Sequence, residues 1–132
     1  MKRVPAKPTA SELGILHVLW SRGPSTVREV LDSLNEKKSL GYTGVLKLLQ
    51  IMTAKGTVRR DESNRAHVYE AFRPADHTKR QLATDMLQRV FAGSASQLMM
   101  HALAGHDASH EEIAELRRIL DAYKGDEDGK RK

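Results

Sequence analysis

The segment YTGVLKLLQIMTAKG, residues 42–56, has two different faces at helical spacing. An apolar stripe follows the i, i+3, i+4, i+7 spacing of an amphipathic helix, at Val45, Leu48, Leu49 and Met52. The opposite face offers hydroxyl, amide and ammonium groups with one formal charge, at Tyr42, Thr43, Lys47, Gln50 and Ala54. A face that meets only water is usually richer in charge. The pattern therefore raises the question of what this second face contacts.

Other residues that can carry chemistry are arranged less favourably. His106 and His110 are four apart, which on one helix would place two metal ligands on the same face. Ser109 looks like a helix cap, however, so His106 falls in a loop, where polar histidines are ordinary. Glu111 and Glu112 are adjacent and diverge on a helix, which does not favour general acid/base work. The sequence has no cysteine, no phosphate-binding glycine loop and no nucleophile motif. We expect no enzymatic activity, no metal site and no cofactor.

The elements around this segment are short helices. Thr9 and Glu12 are spaced as a capping box and begin a first helix that ends near Gly23. Residues 24–26 begin a second helix, in which Ser or Thr provides the cap. The third helix is the segment 42–56, closed by its terminal glycine.

A β-hairpin follows the third helix. Residues 57–72 contain two β-prone runs, TVRR and AHVYEAF, on either side of the polar residues 61–65. Three helices followed by a hairpin predict a winged helix-turn-helix over residues 9–74. Residues 1–8, with three charges and two prolines, are expected to form a flexible arm.

A winged helix-turn-helix answers the opening question, because its second paired helix enters the DNA major groove, about 12 Å wide. Hydroxyls and amides can read base edges there, and a leucine can touch a thymine methyl group. The predicted groove-facing residues are Tyr42, Thr43, Leu46 and Lys47. The alternative is that these residues form an ordinary solvated face and that the leucine belongs partly to the core.

Two further regions are candidates for contacts with DNA. The start of the second helix offers free N–H groups and hydroxyls that suit a phosphate, at Ser25, Thr26 and Arg28. The alternative there is a plain helix cap. The predicted wing contacts are Arg60, Asn64 and Arg65, although an arginine at a hairpin tip is exposed whether or not it binds DNA.

Residues 75–124 predict three more helices with apolar stripes. About 50 residues are too few to enclose a core of their own, so a partner must cover these stripes. A second copy of the chain is the simplest partner, because twofold homodimers are the commonest assemblies. The predicted dimer contacts are Leu82, Met86, Val90, Phe91, Leu98, Met99, Leu103, Ile113, Leu116 and Leu120. Residues 125–132 are expected to be a disordered charged tail.

The charge is distributed unevenly. Residues 1–74 carry 13 basic and 7 acidic side chains, whereas residues 75–132 carry 9 and 10. The positive field of the first part favours an anionic partner, with double-stranded DNA the commonest candidate and a membrane surface the rival. No apolar run is long enough to span a bilayer and residues 1–9 lack the apolar core of a signal peptide, so we expect a cytoplasmic protein without membrane insertion.

From about Thr9 to Tyr123 the chain resembles the BlaI/MecI family of winged-helix repressors, the penicillinase-repressor type. The resemblance is carried by SELGILHVLW, STVREVLDSL, YTGVLKLLQIMTAKG, RAHVYEAFRP, FAGS and SHEEIAELRRIL, in this order and spacing. It implies a homodimer that occupies dyad-symmetric operators and blocks transcription. The residues Tyr42, Thr43, Leu46 and Lys47 match positions at or near the DNA-facing side of the family's recognition helix, while Gly44 stands where threonine is common.

The resemblance also implies a release mechanism. Family members are often removed from DNA when a membrane sensor with a metalloprotease domain responds to β-lactam and the repressor is cut in its dimerisation region. His101 and Ala102 match the Asn-Phe pair at which the best-known members are cut. The copper-responsive branch uses a C-terminal cysteine cluster, which this chain lacks.

These observations lead to two hypotheses of different classes. The first is a dimeric, operator-specific transcriptional repressor. The second is a winged helix that serves as a protein-interaction module with no specific DNA target, and the excess of basic residues in the first part argues against it.

Overall fold

The computed structural model describes residues 7–34 and 40–130, with side chains described as far as Tyr123. The elements are α1 (Ala10–Arg22), β1 (Ser25–Thr26), α2 (Val27–Leu34), α3 (Tyr42–Lys55), β2 (Val58–Asp61), β3 (Val68–Ala71), α4 (Ala75–Arg89), α5 (Ala95–Ala104) and α6 (His110–Lys130). The predicted mainly helical fold with a small β wing is confirmed.

The chain forms two compact units, the first ending at Thr84 and the second beginning at Asp85. The division falls inside α4, whereas the sequence placed the domain boundary at residues 74–75. Six residues of the expected N-terminal arm, 1–6, lie outside the described part of the chain.

The start of α1 has the predicted capping box. The Glu12 N–H donates to Thr9 Oγ1 at 3.2 Å, and the Thr9 N–H donates to Glu12 Oε1 at 3.1 Å. Two backbone donors that the helix itself cannot satisfy therefore have partners. At the other end, Gly23 adopts a φ of 91° and its N–H donates to the Leu19 carbonyl.

The core of the first unit lies where α1, α2, α3 and the sheet meet. From α3 it takes Val45, Leu49 and Met52, all with no exposed surface, while Leu48 is half-buried. The remaining buried apolar side chains are Ile15, Leu16, Leu19, Val27, Val30, Leu31, Val58 and Tyr69. Each such side chain contributes roughly 1.5–3 kcal/mol of hydrophobic stabilisation. This burial fixes which side of α3 faces away from the core.

The sheet has three antiparallel strands in the order β1-β3-β2. In the hairpin Arg59 pairs with Glu70 and Arg60 with Tyr69, and on the other side of β3 Ser25 pairs with Tyr69. The strand β1 was not predicted, because two residues are too short for an alternating pattern.

Two features fix the C-terminal end of α3. Gly56 has a φ of 87°, a left-handed conformation that glycine adopts without steric cost, and its N–H caps the helix by donating to the Thr53 carbonyl. Lys55 Nζ lies 3.0 Å from both carboxylate oxygens of Glu12, whose side chain is only 4% exposed. This ion pair ties the end of α3 to the start of α1.

In the second unit α4 ends at Arg89, before the predicted stripe residues Val90 and Phe91. The chain turns at Ala92 and Gly93, which have φ values of 50° and 85°, and the Gly93 N–H donates to the Leu87 carbonyl. The apolar pattern of the sequence therefore continues past Arg89, where the helix ends, because the positive φ angles at Ala92 and Gly93 do not permit a right-handed helix to continue.

The last two helices begin at serine caps, of which Ser109 was predicted and Ser94 was not. The hydroxyl of Ser94 accepts the Gln97 N–H, and that of Ser109 accepts the Glu112 N–H. Helix α6 continues to Lys130, so its range includes most of residues 125–132, for which a disordered charged tail stays a prediction. Once a helix is nucleated, each added residue gains a backbone hydrogen bond, so polar residues can extend it.

Candidate nucleic-acid interface

Helix α3 presents a polar, uncharged-to-basic face to the outside of the first unit. Tyr42, Thr43, Lys47 and Gln50 are exposed, and Leu46 is half-buried and packs against the core. The helix contains no acidic residue. Within the described part of the chain, no carboxylate pairs with Lys47. The arrangement leaves hydroxyl, amide and ammonium groups available to an external partner.

Tyr42 is held next to α2 by a cation–π contact. The Arg28 guanidinium lies 5.5 Å from the centre of the Tyr42 ring, and the tyrosine is 46% exposed. Such a contact is worth about 0.5–1 kcal/mol at an exposed site. The structure thus brings together a predicted contact of the second helix and a predicted contact of the third.

Ser25, which the sequence offered as a phosphate contact, does not reach the surface. Its side chain is fully buried, its hydroxyl donates to the Gly23 carbonyl at 2.8 Å, and it accepts from Arg22 Nε at 3.0 Å. The pairing of β1 with β3 turns the residue inward, and the sequence alone did not indicate that pairing.

The start of α2 is also occupied by a protein carboxylate. Glu29 Oε1 accepts the Thr26 N–H at 2.9 Å, and Thr26 Oγ1 accepts the Glu29 N–H at 3.2 Å. Arg22 lies 3.2 Å from the other Glu29 oxygen. The backbone hydrogen bond from Thr26, followed by the charge of Arg22, lowers the pKa of Glu29 below its ordinary value.

Both polar groups of Thr26 therefore have partners within the chain, and a phosphate there would meet a negative charge. Sequence reasoning missed Glu29, although its spacing of three residues from Thr26 repeats the capping-box spacing of α1. Arg28 is the third predicted contact at this helix start. Its side chain is exposed, and no carboxylate of the described chain binds it.

In the wing, Arg60 is bound within the hairpin. It lies 2.6 Å from Glu62, and a hydrogen bond with the Tyr69 side chain, followed by the charge of Glu62, raises its pKa above the ordinary value. At the start of the connecting loop, Asp61 Oδ1 accepts both the N–H and the hydroxyl of Ser63. These hydrogen bonds lower the pKa of Asp61 and hold the turn.

Asn64 and Arg65 lie in this loop and are exposed. Among the described residues neither has an ion-pair or side-chain hydrogen-bond partner, in contrast to Arg60. The wing therefore offers these two side chains, rather than all three predicted ones, to an external anion.

A cluster near the wing was not predicted. Phe72 is 47% exposed, and the guanidinium groups of Arg59 and Arg73 lie 5.4 and 5.3 Å from its ring centre. Arg59 also pairs with Glu70 at 2.9 Å, across the two strands. This ion pair could have been predicted from the register of the hairpin, but the register was not determined from the sequence.

The histidines form no metal site in the part of the chain that is described. His106 lies in the loop before α6, as predicted, and its Nε2 is 2.8 Å from Glu112 Oε1. The Glu112 carboxylate thus contacts this histidine, while the Glu112 N–H is bound by the cap residue Ser109. No helix within the described residues is long and apolar enough to cross a membrane.

Comparison with known proteins points to one family. The model of the family described as penicillinase repressor matches residues 8–122. The chain is 33% identical over 111 residues to the transcriptional regulator BlaI of Mycobacterium tuberculosis, with 83% of this chain and 79% of that protein covered. It is 24% identical over 124 residues to the penicillinase repressor of Bacillus licheniformis, with 94% and 96% covered.

A third relative is the methicillin resistance regulatory protein MecI of Staphylococcus aureus, 20% identical over 112 residues, with 85% of this chain and 91% of that protein covered. Because the family model spans most of the sequence, the chain belongs, as its sequence predicted, to the penicillinase repressor family, whose members are transcriptional regulators and not enzymes.

Proposed function

We propose that the chain is a homodimeric transcriptional repressor that binds dyad-symmetric operator DNA through α3. The observation that carries the proposal is the outward face of α3, on which Thr43, Lys47 and Gln50 are exposed in a helix without acidic residues. Three relatives are named as a regulator or repressor, two of them with reference to penicillinase or methicillin resistance.

The charges around α3 support DNA as the partner. Arg28 lies on α2, beside Tyr42, and Arg65 lies in the wing loop that follows α3. Neither arginine is bound to a described carboxylate. In this scheme the wing and α2 contact phosphates and fix the register, while α3 contacts base edges in the major groove.

The second unit supports a second copy of the chain as the other partner. No side chain between Asp85 and Tyr123 is buried. Several large apolar side chains are instead at least about half exposed, namely Met86, Val90, Met100, Ile119, Leu120 and Tyr123. A helical unit without a buried core needs a covering partner, and an identical unit supplies one matching surface. The ten dimer contacts predicted from the sequence remain predictions.

The test of DNA binding is a selection of binding sites from random duplexes, followed by a footprint of the selected site. Both use the full chain at two salt concentrations and with excess competitor DNA. We expect a competitor-resistant footprint with dyad symmetry and half-sites about one helical turn or more apart. Log K should fall steeply with log salt, by about 0.9 for each neutralised phosphate.

Affinity no better than about 10⁻⁴ to 10⁻⁶ M at physiological salt, without a footprint, is the non-specific level. That result would reject the repressor and favour a winged helix that binds proteins.

The dimer is tested by sedimentation. The wild-type chain should be a dimer at micromolar concentration, and Leu116→Asp, which places a charge on a predicted dimer contact of α6, should shift it to monomer. Asp121→Ala is the control, because this exposed side chain lies on the same helix and is not a predicted contact. An intact Leu116→Asp dimer would remove α6 from the interface.

We also propose that repression ends by cleavage of the chain at His101-Ala102, in response to a membrane sensor of β-lactam or cell-wall damage. Both side chains are exposed, but the bond lies within α5, where a protease can act only after the helix opens locally. Cells that express the chain with its sensor should yield a fragment ending at His101 after β-lactam treatment. A chain that stays intact while repression is lifted would reject this step.

A further inference from the structure

Gly44 is a glycine for which the described part of the fold supplies no structural reason. It lies in the first turn of α3, is exposed, and has no left-handed backbone angle that would favour glycine. A Cβ built on it meets no atom of residues 7–34 or 40–130 within 4 Å. Glycine is the poorest helix former after proline, so an alanine here would stabilise the folded chain.

The other helical glycine with described surroundings behaves differently. A Cβ built on Gly14 of α1 comes to 3.8 Å from Leu34 Cδ2, so the residue packs against a neighbouring helix. No comparable contact exists at Gly44. Among the described residues, nothing packs against the position that a side chain of Gly44 would occupy.

The neighbours of Gly44 are the residues assigned to the DNA contact. Thr43 precedes it, Lys47 follows one turn later, and both are exposed. Tyr42 is fixed nearby by the guanidinium of Arg28, 5.5 Å from its ring. Because Gly44 is also exposed and lies beside Lys47 near the start of α3, a surface that Thr43 and Lys47 contact at the same time would come close to its bare backbone.

We infer that Gly44 is a specificity-determining residue: the absence of its side chain lets the first turn of α3 approach one base-pair edge so closely that a methyl group would not fit. The inference rests on the proposed DNA-binding function and deepens it. According to this inference, the lack of a side chain at Gly44 determines which base pair is accepted at one position of each half-site. Close packing is also what makes such a position sensitive, since an added methylene in a filled interface forces its neighbours to move.

The test compares G44A, the larger G44T and the matched control G14A with the wild-type chain. We expect G44A to raise the midpoint of thermal unfolding by a few degrees, which excludes a folding defect. At the same time its affinity for the selected operator should fall at least about fivefold, with non-specific affinity unchanged. G44T should lose more, and sites selected with G44A should differ from wild-type sites at one symmetric pair of positions. G14A should bind as the wild type does.

The possible failures are distinguishable. If the wild-type chain selects no site and leaves no footprint, the proposed function fails and this inference fails with it. If the wild-type chain has an operator and G44A binds it within about twofold with the same sequence preference, the proposed function stands and Gly44 is not a specificity determinant.

Discussion

The ion pair between Lys55 and Glu12 allows a quantitative prediction about how α3 is held. The Lys55 ammonium lies 3.0 Å from each Glu12 carboxylate oxygen, and the side chains are 28% and 4% exposed. Lys55→Met keeps most of the aliphatic stem but leaves the carboxylate buried, with the Thr9 N–H as its one remaining donor among the described residues.

The magnitude follows from the separation and the burial. At an effective dielectric constant of about 20, charges 3.0 Å apart attract by roughly 5 kcal/mol before any desolvation cost. The carboxylate keeps its Thr9 hydrogen bond, and water can enter at the partly exposed end that Lys55 leaves. We therefore expect Lys55→Met to lower the free energy of unfolding by about 2–3 kcal/mol, close to the usual cost of an unpaired buried charge.

Urea unfolding monitored by tryptophan fluorescence measures this loss. Trp20 is the only tryptophan of the chain and lies on α1, where its Nε1–H donates to the Arg73 carbonyl, so it reports on the first unit. Lys47→Met is the control, because this exposed lysine of the same helix has no ion-pair partner within the described residues and should change stability by less than about 0.5 kcal/mol. All variants are compared at one protein concentration.

A double-mutant cycle isolates the pair itself. Glu12→Gln removes the charge but keeps an oxygen for the Thr9 N–H, so it should cost less than Lys55→Met. The double variant should then be more stable than the sum of the two single losses predicts, by about 1–2 kcal/mol. If Lys55→Met is as stable as Lys47→Met, or if the two losses are additive, the ion pair does not hold α3 as we argue.

Three further predictions concern the same unit. Lys47→Ala should reduce the preference for operator over competitor DNA by about 1–3 kcal/mol for each lost base contact, measured by competition binding; an equal loss on all sequences would make Lys47 a phosphate contact. Glu29→Gln should destabilise the chain above pH 4.5 and approach wild-type stability in acid, because a carboxyl whose pKa is lowered on folding stabilises only while it is ionised; thermal unfolding from about pH 7 to about pH 3 measures this, and a gap that persists in acid contradicts it. Gly56→Ala should cost about 1–2 kcal/mol in urea unfolding because its φ of 87° strains a side chain, and an unchanged midpoint would show that the helix end relaxes.

The helices of the first unit were predictable because the signals that define them are local. The capping box of Thr9 and Glu12, the spacing of the α3 stripe and the final Gly56 each act within a few residues along the chain. The cap at the start of α2 was also predictable from local spacing, because Glu29 follows Thr26 by three residues and each bonds the backbone N–H of the other.

The sequence by itself thus determined the order of the helices and the wing hairpin, the two faces of α3 and the basic first half, since periodicity, caps and charge are properties of neighbouring residues. Only the tertiary structure decided which polar groups remain available. Ser25 turns inward because β1 pairs with β3, and Lys55 is bound by Glu12, which lies 43 residues away. Arg28 reaches Tyr42 because α2 and α3 pack together. These contacts join residues that are distant along the chain, and only packing of the core brings such residues within reach of a hydrogen bond or a charge.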